Sequence, residues 1–295
     1  YATRASDQGP SAGRWDNTQT MRDILRLRHE AATLIGFTDY AAYSLASKMA
    51  RSADEVVNFL QDLVTRCRTA GRHEYMELCE YALERDGVTG LQAWDIGYYA
   101  EKLKLERHAI DDEMLRPYFP VPRVMQGLFE IVQRLYGIHL TGVNAADVWH
   151  PDVRLYRLHD EAGELRGELY LDLYTRSGKR NGAWMDDCRT RRRSTHGVQT
   201  PVAFLTCNFP PPIGARPSLL THDDVVTLFH EFGHCLHHLL TQVDYPAVAG
   251  INGVAWDAVE LPSQFHENFA WTREGLAAVS GHFETGEPLP DSLYQ

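Results

Sequence analysis

The sequence predicts a mainly α-helical chain with one small β-sheet, and three observations carry that prediction. Through most of the first half, apolar residues recur at helical spacing. Between Asp147 and Phe209 they come instead in short alternating or continuous runs, VRLYRL, GELYLDLY and VAFLTCNF, separated by the turn-rich DEAGE and RSGKRNGA. From His222 onward the helical period returns. The change of period suggests a helical region over residues 1–145 and a second region, holding the sheet, over residues 146–295.

In chain order, the first helix runs from about Met21. Ile24, Leu25, Leu27, Ala31, Leu34 and Ile35 form its apolar stripe, Thr20 and Asp23 give a start signal, and Gly36 gives a stop. Ser52 and Glu55 have capping-box spacing ahead of Val56, Phe59, Leu60, Leu63, Val64 and Cys67, and the pattern continues towards Leu83 and Gly87. A third helix is expected over about residues 94–108 and a fourth over about 122–136, closed by Gly137. The three apolar runs then make a sheet of three or more strands. Beyond PPPIGARPS, helices are expected over about residues 222–241 and 257–277.

Composition narrows the function. With 44% apolar and 23% charged residues, the chain has the usage of an ordinary folded protein. Its 29 Lys+Arg against 40 Asp+Glu give a net charge of −11, which repels a phosphate backbone and excludes nucleic acid as a natural partner. Cys67, Cys79, Cys188, Cys207 and Cys235 are scattered and never form C-x-x-C, a pattern of reduced thiols in the cytoplasm and not of a disulfide framework. No apolar run approaches the roughly 18 residues of a membrane helix, and no basic-then-apolar leader is visible, so a soluble monomer without a membrane partner is expected. The opening YATRASDQGP and the ending PLPDSLYQ suggest a portion of something longer.

The chemistry concentrates in His230-Glu231-Phe232-Gly233-His234, inside the helical stretch VVTLFHEFGHCLHHLL. Residues four apart on a helix lie one turn apart on the same face, with Cβ atoms roughly 5–6 Å apart, so both imidazoles can converge on one ion. A single Zn2+ per chain, held by His230 and His234, lowers the pKa of bound water to about 7, and Glu231 stands beside it as general base. The competing reading is a pair of satisfied core histidines. Burying two imidazoles in so apolar a helix without a ligand wastes their hydrogen-bonding groups, which weighs against it.

Catalytic zinc takes a third protein ligand, and Glu260, 26 residues past His234 in AWDAVELPSQFHENF, is the candidate. Asp257 can cap that second helix, and Pro262 falls where its first turns tolerate it. A solvated acid near a helix start is the alternative for Glu260. Gln264 and Glu267 share its face, and Glu267 is the residue expected to accept the second ring N–H of a ligand histidine. Asp223 and Asp224 precede the motif, while His237 and His238 read as packing or surface residues. Phe204, Leu205 and Thr206 in VAFLTCNF offer either a sheet edge for an extended peptide or an ordinary buried strand. Gly250 and Gly253 either flex beside the site or make turns. The expected fold is thus mainly α and multi-helical, with a small β-sheet beside a thermolysin-like zinc-binding helix pair.

From THDDVVTLFHEFGHCLHHLL through GINGVAWDAVELPSQFHENF the sequence resembles the thimet oligopeptidase family of zinc metallopeptidases. YATRASDQGP, WDIGYYAEK, LRPYFP, VWHPDV, LYLDLYTRSGKRNGAWMDDC and PVAFLTCNF resemble family segments in the same order. The resemblance implies that His230, His234 and Glu260 are zinc ligands and Glu231 the general base. It implies a mostly helical fold whose two halves flank a narrow channel, and short peptides as substrates. It also implies that family segments on either side are missing, among them one that stabilises the substrate carbonyl. A catalytically incomplete fragment, metal-binding or purely structural and helical, is therefore the rival reading.

Overall fold

A computed structural model of the protein describes residues 12–108, 111–144 and 146–294; the opening segment YATRASDQGP lies outside them. Helices take nearly half of the described residues, and the strands include a small mixed sheet. Contacts divide the chain into two compact units, residues 1–110 and 111–295.

The first unit holds α1 (Thr18–Leu34), α2 (Tyr40–Leu45), α3 (Ala53–Asp86) and α4 (Ala93–His108). Ser52 starts α3 as its spacing predicts, its side chain accepting from the Glu55 N–H at 3.1 Å. Glu55, however, reaches back to the Arg51 N–H at 2.7 Å and not to Ser52, so the reciprocal box is displaced by one residue. Gly87 closes α3 in the left-handed conformation, φ +67°. A small core of Leu78, Ala82, Leu91 and Tyr99 joins α3 to α4. Periodicity located these helices but not their burial: Leu25, Leu34, Phe59 and Val64 on the predicted stripes are exposed.

The second unit contains α5 (Asp112–Leu115), α6 (Val121–Tyr136), seven strands, α7 (His222–Leu239), α8 (Leu261–Glu267) and α9 (Arg273–Val279). By sequence α6 falls in the first region. Its buried face, Val124, Leu128, Ile131 and Val132, instead joins the core of the second unit. Five strands form a sheet in the order β1-β2-β3-β7-β4, namely His139–Gly142, Arg154–His159, Leu165–Tyr174, Val202–Phe209 and Trp184–Arg189. β3 and β7 are parallel and the other neighbours antiparallel. β5 (Arg192–Ser194) and β6 (Gly197–Gln199) make a separate hairpin. Leu169, Leu171, Ala203, Leu205 and Cys207 alternate onto one face and pack, within the same core, with Phe229, Phe232, Leu236 and Leu239 of α7.

Two expectations need correction. Phe204, Leu205 and Thr206 do not lie on a sheet edge, because β7 pairs with β3 on one side and β4 on the other, which occupies its backbone. Nor is there one helix over residues 257–277. Residues 257–260 are turns, and α8 begins at Leu261 because Pro262 supplies the preset φ of a first helical turn. Glu260, not Asp257, holds the N-cap position, without a capping side-chain bond. Asn268 then donates to the carbonyls of Gln264 (3.1 Å) and Phe265 (3.0 Å), and Thr272 caps a new helix, α9, by accepting from the Gly275 N–H.

Candidate metal centre

α7 begins with a full capping box: Thr221 Oγ1 accepts from the Asp224 N–H at 3.0 Å, and Asp224 Oδ2 accepts from the Thr221 N–H at 2.9 Å. Asp223 and Asp224 in this first turn also complement the helix dipole. With its start fixed and its apolar face buried on the sheet, α7 presents His230 and His234 one turn apart, their ring centroids separated by 4.9 Å.

Glu260 Oε2 completes the cluster, 3.2 Å from His230 Nε2 and 3.0 Å from His234 Nε2. On its other side His230 Nδ1 lies 2.6 Å from Glu267 Oε1, the geometry of a ring N–H donating to a carboxylate. That bond places the lone pair of His230 on Nε2, facing Glu260. Electron-pair donors this close repel unless a cation or proton stands between them. Zinc bonds of about 2.0–2.2 Å at tetrahedral angles separate ligand atoms by about 3.3 Å, so the three side chains fit a zinc ion. His234 Nδ1 is buried and has no hydrogen-bond partner among the described residues, which leaves its Nε2 as the atom turned to the cluster. Burial also lowers the pKa of His234 and favours the neutral, ligating imidazole, although Glu260 opposes the shift.

Glu260 arrives by a close approach of α8 to α7 at Gly233. A Cβ at Gly233 would lie 2.7 Å from Ser263 Cα and 2.8 Å from the Pro262 carbonyl oxygen, so only glycine permits the contact. Fully buried Ser263 lies with its Oγ 3.1 Å from Glu260 Oε2 and 2.8 Å from the Glu260 carbonyl, its hydroxyl donating to this end of the helix. His266, also buried, donates Nδ1–H to the Pro262 carbonyl at 2.6 Å and accepts from the Tyr136 hydroxyl at 3.0 Å, tying α8 to α6. Sequence reasoning did not single out Ser263, His266 or Tyr136. The available signal was the small residue between the two histidines, which marks where another backbone comes close.

Glu231 is buried, and burial holds its carboxyl above the usual carboxylate range; His230 and the Met185 backbone amide oppose this, and Glu260 adds to it. Met185 belongs to β4, which among the described residues pairs with β7 alone, so Glu231 stands beside the outer strand of the sheet. Of the other histidines, His238 is fully buried with Nε2 3.1 Å from the Arg189 carbonyl, and half-buried His237 is held below its usual pKa by burial.

Residues 1–295 match the family described as Peptidase family M3, and the chain belongs to that family. It is 57% identical over 294 residues to oligopeptidase A of Escherichia coli (strain K12), covering 99% of this chain and 43% of that protein. Identity to the organellar oligopeptidase A of Arabidopsis thaliana is 42% over 306 residues, covering 100% of this chain and 38% of the relative. Dipeptidyl carboxypeptidase of Escherichia coli (strain K12) is 34% identical over 281 residues, covering 95% and 41%. The chain therefore spans about two fifths of the length of these curated relatives.

Proposed function

We propose that the protein is a zinc-dependent oligopeptidase that hydrolyses internal bonds of short peptides, with His230, His234 and Glu260 as metal ligands and Glu231 as general base. The convergence of two imidazole nitrogens and one carboxylate oxygen within 4.8 Å of one another carries this reading. Membership of peptidase family M3, and the relatives' names oligopeptidase A and dipeptidyl carboxypeptidase, support peptides as the substrate class. Two histidine ligands on one helix with a third ligand at the start of the next make the thermolysin-like arrangement this function needs.

When bound, zinc supplies Lewis acidity and lowers the pKa of water to about 7. Glu231 takes the proton of the attacking water and returns it to the leaving amine, and its raised pKa suits both transfers. Glu267 orients the His230 ring. The free edge of β4, and not β7, is where an extended peptide would add a strand through main-chain hydrogen bonds, with its scissile bond brought beside Glu231. Free thiols at Cys67, Cys79, Cys188, Cys207 and Cys235, and the Arabidopsis thaliana relative named "Probable cytosolic oligopeptidase A", support a cytoplasmic location. Among the described residues no helix is long and apolar enough to cross a membrane.

Glu231→Gln in the whole protein tests the assignment. One zinc per chain should remain while cleavage of a quenched fluorescent peptide falls by about 10²–10⁴-fold. Cleavage at the wild-type rate would end the case for Glu231 as the base.

A further inference from the structure

Between α7 and α8 the chain passes along the end of β4 and is fastened there at Asp244 and Asn252, while His238, in the last turn of α7, bonds to the same segment. The carboxylate of Asp244 accepts from Arg191 Nε at 2.9 Å and from Arg193 Nε at 2.6 Å, and the Asp244 carbonyl accepts from the Arg193 backbone N–H at 3.1 Å. Asn252 donates through Nδ2 to Asp187 Oδ2 at 3.0 Å, and to Thr190 Oγ1 at 3.3 Å. His238 donates through Nε2 to the Arg189 carbonyl at 3.1 Å, and Gly250 packs so closely on its ring that a Cβ there would lie 2.6 Å from Nδ1. Residues 187–193 are thus cross-bonded to the loop that ends in Glu260. Two turns, residues 251–253 and 256–260, lead from Asn252 to Glu260, the second closed by the Ala258 N–H donating to the Ala255 carbonyl at 2.9 Å and the Leu261 N–H to the Ala258 carbonyl at 3.2 Å. Asn252 thus anchors the short connection that leads into Glu260.

We propose that Asp244, Asn252 and His238 form a clamp that registers the Glu260-bearing loop against the β4 edge, so that one rigid unit sets both metal affinity and peptide binding. The clamp rests on the reading of His230, His234 and Glu260 as the metal site and of β4 as the peptide edge. Its members touch neither metal nor peptide and are positioning residues. Asp244 is its centre: Arg189, Arg191, Arg192 and Arg193 crowd one short segment, and one carboxylate serves two of them. Without it the guanidinium groups repel one another and the loop loses its anchor. Glu260 then reaches the imidazoles from a wider range of positions, which weakens metal binding, while the β4 end shifts, which weakens peptide binding. A clamp that only held the fold would change the melting temperature and neither affinity.

The test measures zinc dissociation constants by competition with a chromophoric chelator, together with KM and kcat at saturating zinc, for Asp244→Asn and the milder Asn252→Ala in the whole protein. We expect the zinc constant to rise by about tenfold, as for outer groups that orient metal ligands, with KM rising more than kcat falls. His230→Ala in the same assay should abolish zinc binding. Wild-type zinc binding by that variant would instead break the metal-site reading, which separates the two failures. If both clamp variants fold and bind zinc within about twofold of wild type, or if KM is unchanged in both, the clamp is overturned.

Discussion

On one face of the sheet Asp172, Arg176, Lys179 and Trp149 form a closed polar cluster; on the other, His230, His234 and Glu260 form an open one. In the closed cluster one carboxylate is shared by two cations and an indole N–H. Arg176 makes a bidentate pair with Asp172 at 2.6 and 2.7 Å, and Trp149 Nε1 donates to the same carboxylate at 3.0 Å. Lys179 Nζ donates to Asp172 Oδ1 at 2.9 Å and reaches the carbonyls of Asp172, Tyr174 and Cys207. In the open cluster two imidazole nitrogens and one carboxylate oxygen converge, with His230 Nδ1 tied back to Glu267 and Ser263 Oγ beside the same Glu260 Oε2 that faces the rings. Both clusters are built from charged and polar groups, so how those groups pair, and not charge density, separates a structural cluster from the proposed metal centre.

The largest effect that tests this contrast is on stability. Asp172→Ala would leave Lys179, with its side chain only 5% exposed, without its counter-charge, and should cost about 3–5 kcal/mol by chemical denaturation while the zinc dissociation constant stays at its wild-type value. A loss of zinc affinity of the same size would show that the clusters are not independent. Acid offers a second handle. Burial pushes the Asp172 carboxyl up, but hydrogen bonds from Arg176, Lys179 and Trp149 outweigh it and hold the group well below the usual carboxylate range. A group with a depressed folded pKa stabilises above its unfolded value of about 3.9, and that contribution is lost as pH falls towards the folded value. The stability gap between wild type and Asp172→Asn should therefore narrow below about pH 4.

The open cluster was legible in the sequence and the closed one was not, for a physical reason. His230, Glu231 and His234 are fixed by helical period alone, and Glu260 and Glu267 follow once a second helical stretch is seen nearby. Asp172, Arg176 and Lys179 instead depend on how RSGKRNGA folds back across a strand end, which has no period to read. The same limit explains β7. An apolar run identifies a buried strand but not its neighbours, and Trp184–Arg189, the strand that covers it, lacks the apolar run that marked the others. Helical spacing likewise continues through residues 257–277 although the chain breaks twice there. Pro262 and Thr272, each a legible start signal, outweigh it.

A smaller effect should appear where the two histidines meet α8. Gly233→Ala adds one methyl group against Ser263 Cα and the Pro262 carbonyl, backbone atoms that yield only if α8 moves. We expect about 1–3 kcal/mol of destabilisation from overpacking, accompanied by weaker zinc binding because Glu260 moves with the helix it begins. The pairing of the two losses is the informative result. Destabilisation with unchanged zinc affinity would mean that Glu260 reaches the imidazoles independently of how closely α8 packs.

Ser263→Ala sharpens the contrast most and perturbs the fold least. The Glu260 carbonyl keeps the Gln264 N–H at 2.9 Å when the hydroxyl is removed, so no backbone acceptor is stranded and the stability change should stay near 1 kcal/mol. The Glu260 carboxylate, half exposed and already an acceptor facing two other acceptors, loses the hydroxyl beside Oε2. Zinc affinity should then fall by about tenfold, measured by chelator competition at a temperature where both proteins are fully folded. Equal zinc constants would place the orientation of Glu260 in the backbone turn and not in its hydroxyl neighbour. An open cluster would then need only its ligand atoms in range, whereas the closed one needs every hydrogen in place.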